Sequence, residues 1–143
     1  EYLNKKMKIE SQKFAVVLLD IDDFKSINDQ YGHIYGDQTL QTFSDSMKKN
    51  MDNKGIVTRF GGEEFMLVFD DINHEVIEDT LNKVAEEFAL YGKQSKGIEL
   101  SFSGGVEVFY QEDEIVKLFN RADHKLYYAK HTGKKKIVFD IDV

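Results

Sequence analysis

The sequence predicts an α+β fold, a central, mainly antiparallel sheet with helices on its faces around a ferredoxin-like βαββαβ core. Three observations predict it. Phe14 to Leu19 is a continuous apolar run of strand length, the pattern of a strand covered on both faces. Two β-prone runs, Ile56 to Phe60 and Phe65 to Phe69, flank a Gly-Gly pair, which reads as a tight hairpin because Gly61 and Gly62 can take positive φ without steric cost. Between and after these strands, apolar residues recur at three- and four-residue steps, the spacing of helices that lay one face on a sheet.

Taken in order, Glu1 to Gln12 is polar with Tyr2, Leu3, Met7 and Ile9 at loose helical spacing, a partial helix leading into the first strand. After Asp20, Phe24 and Ile27 predict a short helical segment, interrupted around Tyr31-Gly32-His33. From Asp37 the stripe Leu40, Phe43, Met47, Met51 predicts a helix, and Asp52 to Gly55 turns into the hairpin. A further helix begins near Asn73, carries Ile77, Leu81, Val84, Ala85 and Phe88 on one face, and stops near Gly92. Alternation from Ile98 to Val108 predicts a long half-buried strand. A last helix turns Ile115, Leu118, Phe119, Ala122, Leu126 and Ala129 inward and ends at Gly133, before a final strand from Ile137 to Ile141.

At 143 residues the chain is one domain, residues 1–143, long enough to bury a proper core. The absence of cysteine excludes disulfides and thiolate metal sites. No apolar run approaches the ~20 residues that cross a bilayer, and no signal peptide is visible, so the expected setting is the cytoplasm, or the cytoplasmic part of a membrane-anchored protein. A formal charge of −7 argues against nucleic acid as a partner, while a nucleotide remains compatible if a divalent cation and a few lysines offset its phosphates.

The chemistry concentrates at two acidic strand ends. Glu63 and Glu64 follow the glycines where a strand restarts, and adjacent carboxylates repel unless a cation or proton is near. Asp20 ends the first strand, and alternation sends Asp20 and Asp22 the same way while Ile21 faces the core. In a βαββ unit the end of strand one approaches the hairpin tip, which would bring oxygen ligands together from separate segments, as Mg²⁺ requires. Plain readings stand beside these: a solvated acidic turn at Glu63-Glu64, and helix capping by Asp20 to Asp23.

The stretch Arg59-Phe60-Gly61-Gly62-Glu63-Glu64-Phe65 resembles the signature of the GGDEF family of diguanylate cyclases. So does Asp20-Ile21-Asp22-Asp23-Phe24-Lys25-Ser26-Ile27-Asn28, which continues to Gly32-His33 and Gly36-Asp37. The match extends through Ser103-Gly104-Gly105-Val106, Arg121-Ala122-Asp123 and Tyr128-Ala129-Lys130 to Gly133, and covers the chain from Phe14 to Phe139. The resemblance implies the palm-like fold of nucleotidyl cyclases and condensation of two GTP into cyclic di-GMP and pyrophosphate. It implies Mg²⁺, with Mn²⁺ as a substitute, held by the Asp20 carboxylate, the Ile21 carbonyl and the Glu63 carboxylate. Glu63, Glu64 and Lys25 form the implied catalytic set, and either glutamate serves as base, their titrations being coupled.

Asn28 and Asp37 are the implied guanine readers, since a carboxylate accepts the N1–H and N2–H₂ donor pair that adenine lacks. His33 is a further substrate contact. Lys25, Lys130 and Lys134, with backbone amides at Asp23 and Phe24, are the implied phosphate ligands. Lys134 stands where the family usually has arginine, keeping the charge but losing the fork. Capping explains Asn28 (C-cap) and Asp37 (N-cap after Gly36) equally simply, and Lys134 to Lys136 also read as a solvated run. Arg59 is left between an upstream acid and a phosphate across a dimer. One pocket cannot present a 3′-hydroxyl to the α-phosphate of a second GTP, so a transient homodimer is implied.

The family's Asp-x-Leu-Thr-Gly-Leu-x-Asn-Arg turn is absent before the first strand, so the chain reads as an excised domain whose full protein carries an upstream sensory or regulatory domain. The family's Arg-x-x-Asp product site would fall on Asp52 to Gly55, where both key residues are missing. No tight cyclic di-GMP site is expected there, and tight binding that survives mutation of Asp20 and Glu63 would contradict this. The alternative to an active cyclase is a non-catalytic GTP-binding regulatory module of the same fold.

Overall fold

A computed structural model describes residues 13–59, 61–109 and 114–140. The partial helix expected over Glu1 to Gln12 lies outside them. The first strand, β1 (Ala15–Ile21), is the middle of a five-stranded sheet of order β2-β3-β1-β4-β5. The others are β2 (Gly55–Arg59), β3 (Glu64–Phe69), β4 (Phe102–Val108) and β5 (Ile137–Val138). All pairings are antiparallel except that of β4 with β5, so the sheet is mainly antiparallel as expected. The helices are α1 (Phe24–Tyr31), α2 (His33–Asn50), α3 (His74–Lys96) and α4 (Ile115–His131).

The apolar run in β1 is continuous because both of its faces are covered. Ala15, Val17, Leu19 and Ile21 join one core with Phe24, Phe43, Met47, Phe88 and Phe102, under α1 to α3. Val16 and Leu18 join the opposite core with Leu118, Ala122 and Leu126 of α4. Phe43 ties its layer together, its ring lying 5.3 Å from Phe65, 4.8 Å from Phe88 and 5.0 Å from Phe102. On the α4 side, Gly105 lets the layers close. A Cβ on Gly105 would stand 2.3 Å from the Ala122 carbonyl oxygen and 2.5 Å from the Leu126 nitrogen. This contact carries the last turn of α4, and with it Lys130, toward the end of β1.

Several expected boundaries move. The second helix starts at His33, not Asp37, because the break is confined to Gly32 (φ 91°, ψ 162°). Gly32 donates its amide to the Asn28 carbonyl and is itself the cap of both helices. Asp37 is therefore no N-cap and Asn28 no C-cap; both sit inside helices, and the capping explanation for each fails. The hairpin is wider than a two-residue turn, since Arg59 opposite Phe65 is the last pair, and of its two glycines only Gly61 takes positive φ (128°).

The helix begun at the Asn73 cap, whose side chain accepts from the amides of Glu75 and Val76, runs past Gly92 to Lys96. Gly92 is a packing position, where a Cβ would meet Leu100 at 2.7 Å; the stop is Gly97, at φ 64° and ψ 33°. The strand expected from Ile98 begins only at Phe102, because Phe102 pairs with Ile21, the last residue of β1, and residues 98–101 have no ladder beyond it. It is also buried on both faces over Phe102 to Val106, not half-buried, since α4 covers its other side. The final strand is cut to Ile137–Val138, and Ile141 lies outside the described residues.

Candidate active site

The carboxyl end of β1 meets the start of β3, the start of β4 and the last turn of α4. Antiparallel pairing sets Asp20 directly opposite Glu64 on one side and Ser103 on the other. The backbone continues the pairing one step further, with the Ile21 amide 3.5 Å from the Glu63 carbonyl, while the Ile21 side chain is buried in the core as expected. The two acidic strand ends thus meet where the βαββ topology predicts. Glu63 is half-buried and Glu64 exposed, its carboxylate folded back toward Gly61.

This arrangement is electrostatically costly for Asp20. Burial pushes its carboxyl up to about 6, the neighbouring charges of Glu63 and then Glu64 push the same way, and Lys130 offsets only part of this. The Lys130 ammonium lies 3.6 Å from Asp20 Oδ1, 3.1 Å from the Asp20 carbonyl and 2.8 Å from Asp22 Oδ1. Asp20 and Asp22 therefore do face the same way, toward one lysine. Because the raised acid takes up a proton more readily in the folded chain, it lowers stability as pH rises through the window from about 3.8 to about 6. Asp20→Asn removes that penalty and is expected to raise the melting temperature at pH 7.5 by a few degrees, an advantage that disappears below about pH 4. Melting curves across pH test this, and an unchanged or lower melting temperature for the variant at pH 7.5 contradicts it.

Asp22 is the residue that sequence reasoning missed. Its side chain is buried and accepts four hydrogen bonds: Ser103 Oγ and Lys130 Nζ on Oδ1, Ser101 Oγ and the Lys135 amide on Oδ2. Despite burial, the Lys130 ammonium and then the Ser103 and Ser101 hydroxyls hold its carboxyl below the usual carboxylate range. The signal was present in Ser101-Phe102-Ser103, where two hydroxyls on one face of a strand end sit beside an aspartate-rich turn.

Asp23 occupies the α1 N-cap position in a left-handed conformation (φ 57°), with no side-chain capping bond; its carboxylate instead binds the Lys134 ammonium at 2.6 Å. That bond raises the Lys134 pKa, while the lysine side chain, 41% exposed, stays at the surface. The Lys135 ammonium likewise binds Glu99, and that of Lys136 the Thr132 carbonyl. Phe24 buries its ring, so only its backbone faces the cap, and Lys25 stands exposed in the first turn of α1.

Asn28 lies against Gly36, where a Cβ would stand 1.8 Å from its Oδ1, so α1 and α2 touch at this pair and Asp37 follows it immediately. Asp37 is exposed and, with Leu40, Gln41, Arg59 and Phe65, lines an open cavity of 420 Å³. His33 is exposed at the start of α2. Arg59 holds the hairpin tip, donating from Nε and Nη2 to the Gly62 carbonyl at 3.0 and 2.8 Å. Among the described residues, no three or more His, Cys, Asp or Glu side chains form a ready metal-ligating group. The expected set of Asp20, the Ile21 carbonyl and Glu63 asks for two carboxylates only.

Comparisons with known proteins agree with this architecture. The model of the family described as "Diguanylate cyclase, GGDEF domain" matches residues 1–136. The diguanylate cyclase DgcP of Pseudomonas aeruginosa is 33% identical over 124 residues, 85% of this chain and 18% of that protein. The probable diguanylate cyclase DgcF of Escherichia coli is 36% identical over 135 residues, 89% of this chain and 42% of that protein. An uncharacterized membrane protein of Staphylococcus epidermidis is 33% identical across 96% of this chain and 40% of its own length. The chain thus spans less than half of each of these relatives. Among the described residues, no helix is long and apolar enough to cross a membrane. Among solved structures, the active GGEEF domain of a diguanylate cyclase from Vibrio cholerae superposes with a TM-score of 0.86 at 26% identity, covering 99% of this chain and 92% of that one. With a family model matched over residues 1–136 and the fold shared with a solved diguanylate cyclase domain at a TM-score of 0.86, the chain belongs to the GGDEF family of diguanylate cyclases.

Proposed function

We propose that this domain condenses two GTP molecules into cyclic di-GMP and pyrophosphate, using Mg²⁺, or Mn²⁺ in its place, across a transient homodimer. The observation that carries the reading is the meeting of Asp20 with Glu63 and Glu64 at the end of β1, beside Lys130. The donor set fits a divalent cation, because burial, and after it the charges of Glu63 and Glu64, push the Asp20 carboxyl up to about 6, and a cation sharing these oxygens would offset both. Asp20, the Ile21 carbonyl and Glu63 would hold it. When bound, such an ion polarises phosphoryl oxygens and favours ionisation of an attacking hydroxyl.

The chain's own residues supply the rest. Glu63 or Glu64 takes the proton of the 3′-hydroxyl, the 3′-oxygen bonds to the α-phosphorus of the other GTP, and pyrophosphate leaves in line. Lys25, Lys130 and Lys134 neutralise triphosphate oxygens, with the backbone amides at Asp23 and Phe24 at the start of α1. Lys134 must exchange Asp23 for phosphate to do so. Asn28 and Asp37, freed from capping, read guanine, with His33 beside them. Asp37→Ala is expected to weaken GTP binding about tenfold and to leave ATP binding unchanged, since the lost carboxylate accepts donors only guanine has. Calorimetric titration with each nucleotide checks this, and equal losses for both would remove Asp37 from base recognition.

We place the domain in the cytoplasm, where GTP is, as the catalytic piece of a longer protein with an upstream sensory or regulatory domain. The greater length of the relatives, and the membrane protein among them, support a membrane-anchored context. Incubating the protein with GTP and Mg²⁺ and assaying pyrophosphate and cyclic dinucleotide tests the whole reading. Cyclic di-GMP made at a rate rising with the square of protein concentration is the expected result. GTP bound without product at any concentration returns the non-catalytic module.

A further inference from the structure

We propose that Asp22 is a positioning residue that holds the Lys130 ammonium between the Asp20 carboxyl and the site of the GTP triphosphate. The inference rests on the cyclase reading in one respect, that triphosphate oxygens are what Lys130 meets.

The four donors on Asp22 divide evenly. Oδ2 takes Ser101 Oγ at 2.7 Å and the Lys135 amide at 3.0 Å, both neutral groups that pin the carboxylate to the start of β4 and to the loop after α4. Oδ1 takes the neutral Ser103 Oγ at 2.7 Å and one cation, Lys130 Nζ, at 2.8 Å. Three neutral bonds fix the orientation of the carboxylate; the fourth uses that fixed carboxylate to place a charge. A lysine side chain loses much rotamer freedom when its head is held, and that loss is taken in the folded protein before any nucleotide arrives. The Asp22 side chain is 3% exposed and that of Lys130 17%, so the pair is shielded from the solvent screening that empties surface ion pairs of value.

Lys130 does not stop at Asp22. The same nitrogen lies 3.1 Å from the Asp20 carbonyl and 3.6 Å from Asp20 Oδ1. Its helix is seated by the absence of a side chain at Gly105, so the stem of Lys130 starts from a fixed point. Asp22 also joins two phosphate-binding candidates into one unit, since its bond to the Lys135 amide anchors the loop in which Lys134 precedes it and pairs with Asp23. A carboxylate that touches neither metal nor nucleotide thereby fixes the charges around both.

The test is a double-mutant cycle on the affinity for 3′-deoxy-GTP, which lacks the attacking hydroxyl and so binds without reacting. Asp22→Asn and Lys130→Met are each expected to weaken binding about tenfold, the worth of one charge-assisted hydrogen bond. The double variant should bind no more weakly than Lys130→Met alone, because Asp22 acts through Lys130. Ser103→Ala removes a neutral bond from the same oxygen and leaves the cation; it should lower the melting temperature yet hold affinity within about twofold. Additive losses in the cycle, or a Ser103→Ala loss as large as that of Asp22→Asn, overturn the proposal and make Asp22 a structural residue. If Asp22→Asn does not fold, the unaltered protein decides. The Lys130 ε-ammonium, assigned with Lys130→Arg, should give a slowly exchanging NMR signal without nucleotide, and a signal averaged with solvent overturns the tether. Wild-type protein that fails to bind the nucleotide at all sinks the cyclase reading and this inference with it; wild-type that binds it while the cycle adds sinks this inference alone.

Discussion

Glu63→Gln is expected to reduce cyclic di-GMP formation at least about a thousandfold while the protein stays folded. Glutamine keeps the shape and removes the charge, and on the proposed reading that charge is half of the carboxylate pair holding the cation. The same substitution has a second consequence, opposite in sign. Glu63 is the stronger of the two carboxylates pushing the Asp20 acid up to about 6, so its neutralisation lowers the Asp20 pKa toward the ordinary carboxylate range. Turnover should fall, the Asp20 carboxyl followed by NMR should titrate lower, and the melting temperature at neutral pH should hold or rise. Glu64→Gln should move the Asp20 titration less, because Glu64 perturbs it less. A Glu63→Gln variant that leaves both turnover and the Asp20 titration unchanged would mean that the two strand ends share neither an ion nor an electric field. Comparing the two variants in product assays over pH also separates the roles of Glu63 and Glu64, since loss of the base flattens the acid limb of the profile.

The site's location was legible because it depends on strand periodicity and hairpin topology, both local features. The apolar run into Asp20 and the glycine pair before Glu63 suffice to bring the acids to one end of the sheet. What was illegible depends on partners far along the chain. Nothing near Gly92 marks it as a packing glycine rather than a helix stop; that follows from Leu100 lying against it. The strand expected from Ile98 has alternation enough, but β1 ends at Ile21 and leaves residues 98–101 outside the ladder. Asp37 looked like an N-cap because Gly36 precedes it, yet Gly36 is small to make room for Asn28, and the helix had already begun at His33. The Asp22 hub draws its donors from positions 101, 103, 130 and 135, a convergence with no sequence period. Local rules read elements well and read the meeting of elements poorly, and the residues that organise a site belong to the second kind.

Gly105→Val should cost about 3 kcal/mol of stability or more, a large part of what a domain of this size has to lose. Valine suits a central strand by propensity, so local reasoning alone would score the change as favourable. The added Cβ, however, would stand 2.3 Å from the Ala122 carbonyl oxygen and 2.5 Å from the Leu126 nitrogen. Both are backbone atoms of α4, and neither can rotate away as a side chain would. Relief requires the whole helix to lift off β4, which uncovers Phe14, Val16, Leu18 and Val68 on that face of the sheet. Gly62→Ala is the matched control, since among the described residues nothing lies within 4 Å of its Cβ and its φ is not positive; its effect should stay within about 0.5 kcal/mol. Denaturant unfolding of the two variants compares them directly, and similar midpoints would mean that α4 is not seated on Gly105. Should Gly105→Val fold at all, the lifted helix still draws Lys130 away from Asp20 and Asp22. Any surviving fraction is then expected to bind GTP as weakly as Lys130→Met does, and wild-type affinity in a folded Gly105→Val protein would break the link between the seat of the helix and the placing of the charge.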